Sequence, residues 1–93
     1  MFNLSFEAFR QQALEAGADE VLERKWDANS EAKTHSHPFD AKAVVAAGEM
    51  WLTTAGQTQH LTPGCTFELA SGTPHSERYG PQGATYWVAR TNR

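Results

Sequence analysis

Cysteine is nearly absent from this sequence of 93 residues, which contains Cys65 alone. A single thiol excludes an intrachain disulfide framework, so the fold must be held together by non-covalent contacts. Free thiols are typical of reducing compartments, and we therefore expect a cytoplasmic location.

Long apolar runs and basic runs are missing as well. The longest uninterrupted apolar stretch is Ala43 to Ala47, far shorter than the run needed to span a bilayer. No basic segment followed by an apolar one opens the chain, so we expect no secretory signal. The formal net charge of −3 and the lack of a basic, aromatic stripe argue against a nucleic-acid partner.

The first part of the sequence predicts one short amphipathic helix over about residues 5–16. Ser5 suits the N-cap, Glu7 lies in the first turn, and Gly17 suits the position just beyond the helix. Apolar residues recur on one face of this helix, namely Phe6, Phe9, Ala13 and Leu14. We expect the helix to pack as a flank or lid on a larger β body.

From Val21 onward, turn residues separate short segments of β type. The predicted strands are Val21 to Asp27, Glu31 to His37, Ala41 to Ala47, Glu49 to Thr54, Gln57 to Leu61, Cys65 to Leu69, Pro74 to Tyr79 and Ala84 to Arg90. This regular spacing indicates an all-β sandwich or barrel over about residues 20–91. No linker or repeat suggests a second domain, so we expect one domain over residues 1–93.

Three of the four histidines lie in informative places. His35 and His37 are one residue apart in a predicted strand, so period-two alternation directs both imidazoles to the same face. Two neutral imidazoles on one face form half of a transition-metal site. His75 opens another β segment and is the leading candidate for a third ligand. Taken alone, the His-x-His pair also fits an exposed or hydrogen-bonded pair.

The spacing around these histidines resembles that of the cupin superfamily. The run His35-Ser-His-Pro-Phe-Asp40, followed by Gly48, is similar to the first cupin motif. Gly64 and the run Ala70-Ser-Gly-Thr-Pro-His75 are similar to the second. The resemblance extends from about Val21 to Arg90 and is nearest to small single-domain bacterial cupins. It implies a double-stranded β-helix, or jelly-roll barrel, that holds a divalent transition metal through His35, His37 and His75.

The chain departs from the cupin pattern at one position. The pattern places a glutamate seven residues before the closing glycine of the first motif, and Ala41 stands there. The usual fourth ligand is therefore missing. Asp40 lies beside the gap, and a bulge at the start of the strand could turn it toward the ion. The alternative is that Asp40 is a turn residue that uses its short acceptor side chain.

Glu77 lies two residues after His75 and shares its face if the strand is regular. It could be a fourth ligand, a partner that orients an imidazole, or a general base, and we take it as the tentative catalytic residue. The alternative is a surface or edge-strand charge. A three-histidine set leaves coordination positions open, as catalytic metals require, and suits zinc, nickel, iron, manganese or copper.

Small side chains predict free volume beside the ion. If Ala41 faces inward, then Ala43, Val45 and Ala47 face inward too. Val44 would then lie on the outer face with Ala46, where an apolar surface favours a homodimer. The alternative is that these small residues accommodate the packing of large ones, namely Phe39, Met50, Trp51, Phe67 and Trp87.

Tryptophan is common for this length, with Trp26, Trp51 and Trp87. We expect most of them in the core, and either Trp51 or Trp87 at the pocket would favour a planar or apolar ligand.

The remaining polar candidates are weaker. We expect His60 to be exposed and Cys65 to be structural or incidental. Surface solvation is the simpler expectation for three arginines, although any that reach the pocket mouth could bind a carboxylate: Arg78, Arg90 and Arg93.

Three functions remain open. The first is a metalloenzyme acting on a small organic substrate, for which the cupin resemblance implies oxygenase, isomerase or lyase chemistry. The second is a non-catalytic module that senses or binds a small molecule or a metal. The third is a metal-free barrel in which the histidines are hydrogen-bonding core residues.

Overall fold

The computed structural model describes residues 3–92, which form one helix and six strands. In chain order they are α1 (Phe6–Glu15), β1 (Glu20–Trp26), β2 (Glu31–His35), β3 (Phe39–Thr54), β4 (Gln57–Leu61), β5 (Thr66–Leu69) and β6 (His75–Asn92). Every strand pair is antiparallel. The prediction of an all-β fold with one short N-terminal helix is confirmed. Within residues 3–92, the helix is neither long nor apolar enough to cross a membrane.

Helix α1 begins and ends as its sequence predicts. The Ser5 hydroxyl accepts a hydrogen bond from the Ala8 N–H at 3.1 Å, and Gly17 follows the helix with φ of 103°. The rings of Phe6 and Phe9 pack on Trp87 with centroids 5.7 and 6.1 Å apart. The helix is therefore a flank on the outer side of the sheet, with Leu14 left 38% exposed.

Two long strands, β3 and β6, shape the barrel because each contributes to two layers. Residues 39–48 of β3 pair with residues 84–92 of β6, and β1 and β5 extend this first layer on either side. Residues 50–54 of β3 pair with residues 75–79 of β6, and β4 and β2 extend the second layer. The layers face each other as in a jelly roll.

The sequence analysis is wrong in treating Gly48 and residues 80–83 as breaks between separate strands. Both segments are corners at which a continuous strand passes from one layer to the other. Gly48 and Gly83 each have φ of 73°, which favours glycine. A Cβ at Gly48 would collide with the Gly83 carbonyl oxygen, and a Cβ at Gly83 would collide with that of Trp26. Glycine is thus required where the strands cross at close range.

Inward-facing residues of both layers form the core. Ala41, Ala43 and Val45 belong to it, as predicted, together with Phe67 and Met50. Ala47 does not: it is exposed, because the β3–β6 register shifts between Val45 and Ala47 and reverses the alternation.

The outer face of the first layer is partly covered by the chain itself. Val44 lies opposite Trp87, and both are buried, at 5% and 7% exposure, although neither belongs to the inner core. Trp87 packs under α1 and donates a hydrogen bond from Nε1 to Glu23 at 2.9 Å. Val44 is therefore buried without a second subunit.

Candidate metal centre

The three predicted histidines meet at one point in the barrel. His35 ends β2, His75 begins β6, and the two are paired across the sheet. One ligand nitrogen from each of His35, His37 and His75 lies within 4.8 Å of the others. The ring of His75 is centred 4.3 Å from that of His35 and 5.2 Å from that of His37.

The route by which His37 reaches this point differs from the expected one. Strand β2 ends at His35, so His37 lies beyond it, and the β2–β6 register shifts between Ala32 and His35. Regular alternation therefore does not set the direction of the His37 side chain. Its ring stacks on Phe39, with centroids 4.8 Å apart and an interplanar angle of 11°. The two imidazoles of the His-x-His pair nevertheless converge, with ring centroids 4.7 Å apart.

Backbone carbonyls fix the tautomers of two of the imidazoles. His35 Nδ1 lies 2.6 Å from the Lys33 carbonyl oxygen, and His75 Nδ1 lies 2.9 Å from that of Thr73. A carbonyl can only accept, so each Nδ1 carries the proton and donates. In the neutral imidazole the lone pair is then on Nε2, which is how metal-binding imidazoles are commonly arranged.

The Nε2 atom of His75 is buried and has no hydrogen-bond partner among residues 3–92. Its side chain is 1% exposed, compared with 33% for His35. An unpaired buried polar atom costs about 1–3 kcal/mol, so an isolated nitrogen here is unfavourable unless something binds it. Zinc binds imidazole nitrogens at about 2.0–2.1 Å, so the three nitrogens, which lie within 4.8 Å of one another, would move closer together around one ion. The residues therefore fit a metal.

His37 is held in the form that binds a metal. Burial, followed by the neighbouring His35 and His75, lowers the pKa of His37 below its usual value, with smaller contributions from Arg90 and Arg24. A lower pKa favours the neutral imidazole, which has a free lone pair.

Glu77 is buried beside the histidines, so a role as a surface charge is excluded. Its side chain is 4% exposed, and its Oε2 lies 3.6 Å from His75 Nε2 and 3.8 Å from His35 Nε2. The other oxygen, Oε1, accepts a hydrogen bond from the Tyr79 hydroxyl at 2.8 Å. Burial and the charge of Glu77 raise the pKa of Tyr79, so the hydroxyl stays protonated and keeps donating. One carboxylate oxygen is thus fixed while the other faces the histidines.

Asp40 does not join this group of nitrogen atoms. Its Oδ1 accepts a hydrogen bond from the Ser71 N–H at 2.8 Å, which ties β3 to the turn before β6. Asp40 therefore lies in a strand and not in a turn, contrary to the alternative expectation, although its short side chain does act as an acceptor. Ala41 faces inward with 6% exposure, so the position at which the cupin pattern has a glutamate is occupied by a methyl group in the core.

A small cavity of about 50 Å³ lies next to His37, His75 and Glu77. Ala41 lines it, as expected from its size, together with larger core residues such as Phe67 and Tyr86. Burial raises the pKa of Tyr86 to about 12, and the charge of Glu77 adds to the shift, so this hydroxyl is also neutral. Both expectations for the alanines therefore hold in part: aromatic rings pack over them, and a small volume remains.

Arg24 of the cavity wall was not singled out from the sequence, and Trp26 was expected only as a core residue. Leu22, Arg24 and Trp26 alternate on one face of β1, with Glu23 and Lys25 between them. An arginine between two large apolar residues at period two was the available signal. Neither Trp51 nor Trp87 lines this cavity, so neither provides the pocket surface for a planar or apolar ligand that the sequence analysis considered.

The other candidates lie apart from the histidines. His60 is exposed, as expected, with Nε2 2.8 Å from Glu49 Oε2. Cys65 is partly exposed, and hydrogen bonds from Thr62 lower the pKa of its thiol. Among the three arginines proposed for the pocket mouth, Arg90 lines the cavity, Arg78 lies elsewhere, and Arg93 is outside the described residues.

Comparisons with known proteins agree with this fold. Residues 17–90 match the AraC-like ligand binding domain. The chain belongs to this family, and it is a small cupin. No curated protein matches it.

Solved cupin structures superpose on most of the chain. An RmlC-like cupin from Shewanella frigidimarina has a TM-score of 0.70 and 20% identity over 78% of this chain and 65% of its own. KdgF from Halomonas has a TM-score of 0.67 and 21% identity over 78% of this chain and 68% of its own. A structure from a study of the DMSP lyases RdDddP and RnDddQII has a TM-score of 0.72 and 18% identity over 77% of this chain and 37% of its own. At these identities the similarity establishes the jelly-roll fold alone.

Proposed function

We propose that this chain is a metal-binding cupin that holds one divalent transition metal through His35, His37 and His75 and binds or transforms a small organic ligand beside it. The observation that carries the proposal is the buried Nε2 of His75, which has no hydrogen-bond partner in the described part of the chain while its Nδ1 is held by a carbonyl. Binding of a metal would stabilise this buried nitrogen, which otherwise lies 3.6 Å from the Glu77 carboxylate.

Glu77 supplies the carboxylate that the cupin pattern places at position 41. Its free oxygen lies 3.6 and 3.8 Å from two of the imidazole nitrogens, within reach of a shared ion. It acts as a fourth ligand, or as the base that accepts a proton from a ligand bound to the metal. Tyr79 holds the carboxylate in place through its hydroxyl and is a positioning residue.

The donor set is consistent with several metals. Imidazole nitrogens with one carboxylate suit zinc, nickel, iron, manganese and copper, so ligand type does not select among them. When bound, the metal supplies Lewis acidity or an oxygen-binding centre to a small ligand. The enzyme hypothesis rests on this open coordination sphere, next to a buried carboxylate that can hold a proton.

A non-catalytic ligand-binding module is the second candidate. Membership of the AraC-like ligand binding domain family favours it, because the description of that family names ligand binding and no reaction. The two candidates are separated by incubating the metal-loaded protein with small carboxylates and thiols under oxygen. Consumption of a compound supports the enzyme, whereas saturable binding without consumption supports the module.

We also propose that the chain forms a homodimer in a reducing cytoplasm. The expected apolar outer face gives less support than the sequence suggested, because Val44 is already buried in one chain. Trp51 still lies partly exposed on the outside of the second layer. Light scattering of the purified protein measures the oligomeric state directly.

Metal analysis of untagged protein tests the metal proposal. We expect one equivalent of metal, or one after reconstitution with Zn²⁺, Ni²⁺ or Co²⁺. We expect the double variant His35→Ala/His37→Ala to lose it and the variant His60→Ala to keep it. A substoichiometric metal content that reconstitution does not restore would support the metal-free barrel instead.

A further inference from the structure

Two arginines face into the barrel beside the proposed metal. Arg24 of β1 and Arg90 of β6 both line the cavity that contains His37, His75 and Glu77. Arginine side chains rarely enter a barrel interior without a negatively charged partner. Two arginines in the wall of this cavity therefore imply a negatively charged group that pairs with them.

The carboxylates of the chain satisfy these arginines only in part. Arg90 Nη1 donates to Glu20 at 3.2 Å, but its Nε is buried and has no hydrogen-bond partner within residues 3–92. No acidic residue in the same described range forms an ion pair with Arg24. Donors with directed N–H groups thus remain available in the cavity wall.

Aromatic rings hold both guanidinium groups without using their N–H groups. Arg24 lies 5.0 Å from the centre of the Trp26 ring, and Trp26 stacks on Tyr79 with centroids 4.8 Å apart. Arg90 lies 4.6 Å from the centre of the Phe39 ring. A cation–π contact uses the charge and the flat face of the group, so the donor edge stays free for a planar anion.

Trp26 adds a third unused donor to the same wall. Its Nε1 is buried and has no hydrogen-bond partner among the residues that the structure describes, and the same is true of His75 Nε2 and Arg90 Nε. The Trp26 N–H lowers the pKa of Tyr86, which shows that it lies near that hydroxyl, although the two groups do not reach hydrogen-bond geometry. All three unsatisfied atoms belong to residues that line this one cavity. A ligand that accepts hydrogen bonds would satisfy the two N–H groups among them.

The volume limits the size of that ligand. A cavity of about 50 Å³ corresponds to about four water-sized positions at roughly 10–15 Å³ each. Ala41 contributes to this space, because a glutamate at its position would fill it with a carboxylate of the protein. The space left by Ala41 suits a carboxylate that comes from outside.

We infer that the cavity binds a small aliphatic carboxylate, with one end toward the metal and with Arg24 and Arg90 as the residues that recognise its charge. This inference rests on the proposed metal site and names the class of ligand that the site takes. Bidentate pairing of a guanidinium with a carboxylate supplies both the affinity and the selection against neutral analogues.

The test uses Co²⁺-loaded full-length protein, whose visible spectrum reports a change in coordination. Sodium acetate is titrated as the probe, with acetamide as a neutral analogue of the same shape and benzoate as a carboxylate too large for the cavity. Direct binding is measured by calorimetry on the same samples. The variants are Arg24→Gln and Arg90→Gln, and the matched control is Arg78→Gln, which changes an exposed arginine outside the cavity.

We expect acetate to bind saturably and to change the spectrum, and acetamide and benzoate to have no effect. Loss of a charge-assisted hydrogen bond should weaken acetate binding about 10- to 100-fold in Arg24→Gln, while Arg78→Gln stays within about twofold of the wild type. If Arg90→Gln unfolds, Arg24→Gln alone still decides the question. Equal responses to acetate and acetamide, or equal Kd values in Arg24→Gln and Arg78→Gln, would overturn the inference. Failure of the protein to bind any of Zn²⁺, Ni²⁺ and Co²⁺ before acetate is added would instead refute the proposed function.

Discussion

Two clusters with the same arrangement lie on opposite sides of β6, one inside the barrel and one outside. In the inner cluster, Arg24 lies over the Trp26 ring at 5.0 Å and Tyr79 stacks on that ring at 4.8 Å. Tyr79 then donates to Glu77 at 2.8 Å. The arrangement is therefore a cation, an indole, a second ring with a polar atom, and a glutamate.

The outer cluster repeats this order with different residues. Arg78 lies over the Trp51 ring at 4.4 Å, and His60 stacks on that ring at 4.7 Å. His60 Nε2 lies 2.8 Å from Glu49 Oε2. The side chains of His60 and Glu49 are 49% and 35% exposed, so water can hydrogen-bond to their polar atoms that have no partner within the cluster.

The inner and outer clusters differ in how deeply their polar groups are buried. The Glu77 side chain is 4% exposed, and its second oxygen faces the histidines instead of solvent. The Nε1 of Trp26 in the inner cluster is buried and has no hydrogen-bond partner within residues 3–92, so an acceptor bound in the cavity would stabilise it. Similar arrangements thus form a solvent-exposed cluster on one side of β6 and part of a candidate site on the other.

Removing a histidine from each side should give the largest contrast. At a Zn²⁺ concentration about 100 times Kd, binding should stabilise the wild type by about 2.7 kcal/mol, with Tm rising about 4–8 °C per kcal/mol. His75→Ala should abolish this rise, because it removes a ligand whose nitrogen is buried. His60→Ala should keep it. Thermal unfolding with and without Zn²⁺ measures both, and a rise that persists in His75→Ala would mean that the ion binds elsewhere.

Neutralising one glutamate on each side tests the role of Glu77. Glu77→Gln keeps an oxygen that can accept from Tyr79 but removes the charge that faces the histidines. Its affinity for Zn²⁺ should fall about 10- to 100-fold, the range typical of losing a group that supports metal ligands. Glu49→Gln should leave the affinity unchanged. Calorimetric titration of each variant gives the two values, and an unchanged Kd for Glu77→Gln would remove Glu77 from the site.

Restoring the glutamate of the cupin pattern should act in the opposite direction. In Ala41→Glu the new carboxylate enters a cavity of about 50 Å³, so the metal-free protein should lose stability because a larger, charged side chain is buried there close to the Glu77 carboxylate. With metal present, the affinity should rise by about tenfold, equivalent to about 1.4 kcal/mol. Ala47→Glu changes an exposed residue of the same strand and is the control. A lower metal affinity in Ala41→Glu would indicate that position 41 cannot reach the ion.

Much of the fold was predictable because its signals are local. The N-cap of α1 at Ser5 and the extent of β4 depend on residues close in sequence, and both were predicted correctly. The corners at Gly48 and Gly83 were not, because a positive φ looks the same in a turn between strands and in a bend within one. Only the close approach of another backbone distinguishes the two, and that depends on tertiary structure.

The candidate site was predictable to the extent that the family pattern carries it. His35, His37 and His75 were found from their spacing, and Glu77 from its parity with His75. Burial of Glu77 could not be predicted, because it depends on Tyr79 and on the packing of the opposite layer. Arg24 was missed because a single charged residue in an alternating strand resembles a surface residue until its face is known.

The smallest expected effect concerns the stability of the outer cluster. An exposed pair such as His60 and Glu49 contributes about 0.2–1 kcal/mol, because water competes for both groups and salt screens them. We therefore expect His60→Gln to lower the free energy of unfolding by no more than this amount, and the difference to shrink as salt is added. Urea unfolding at low and high ionic strength measures it. A loss above about 2 kcal/mol that salt does not change would mean that the outer cluster is more than a solvated pair, and the contrast with the inner cluster would then rest on the histidines alone.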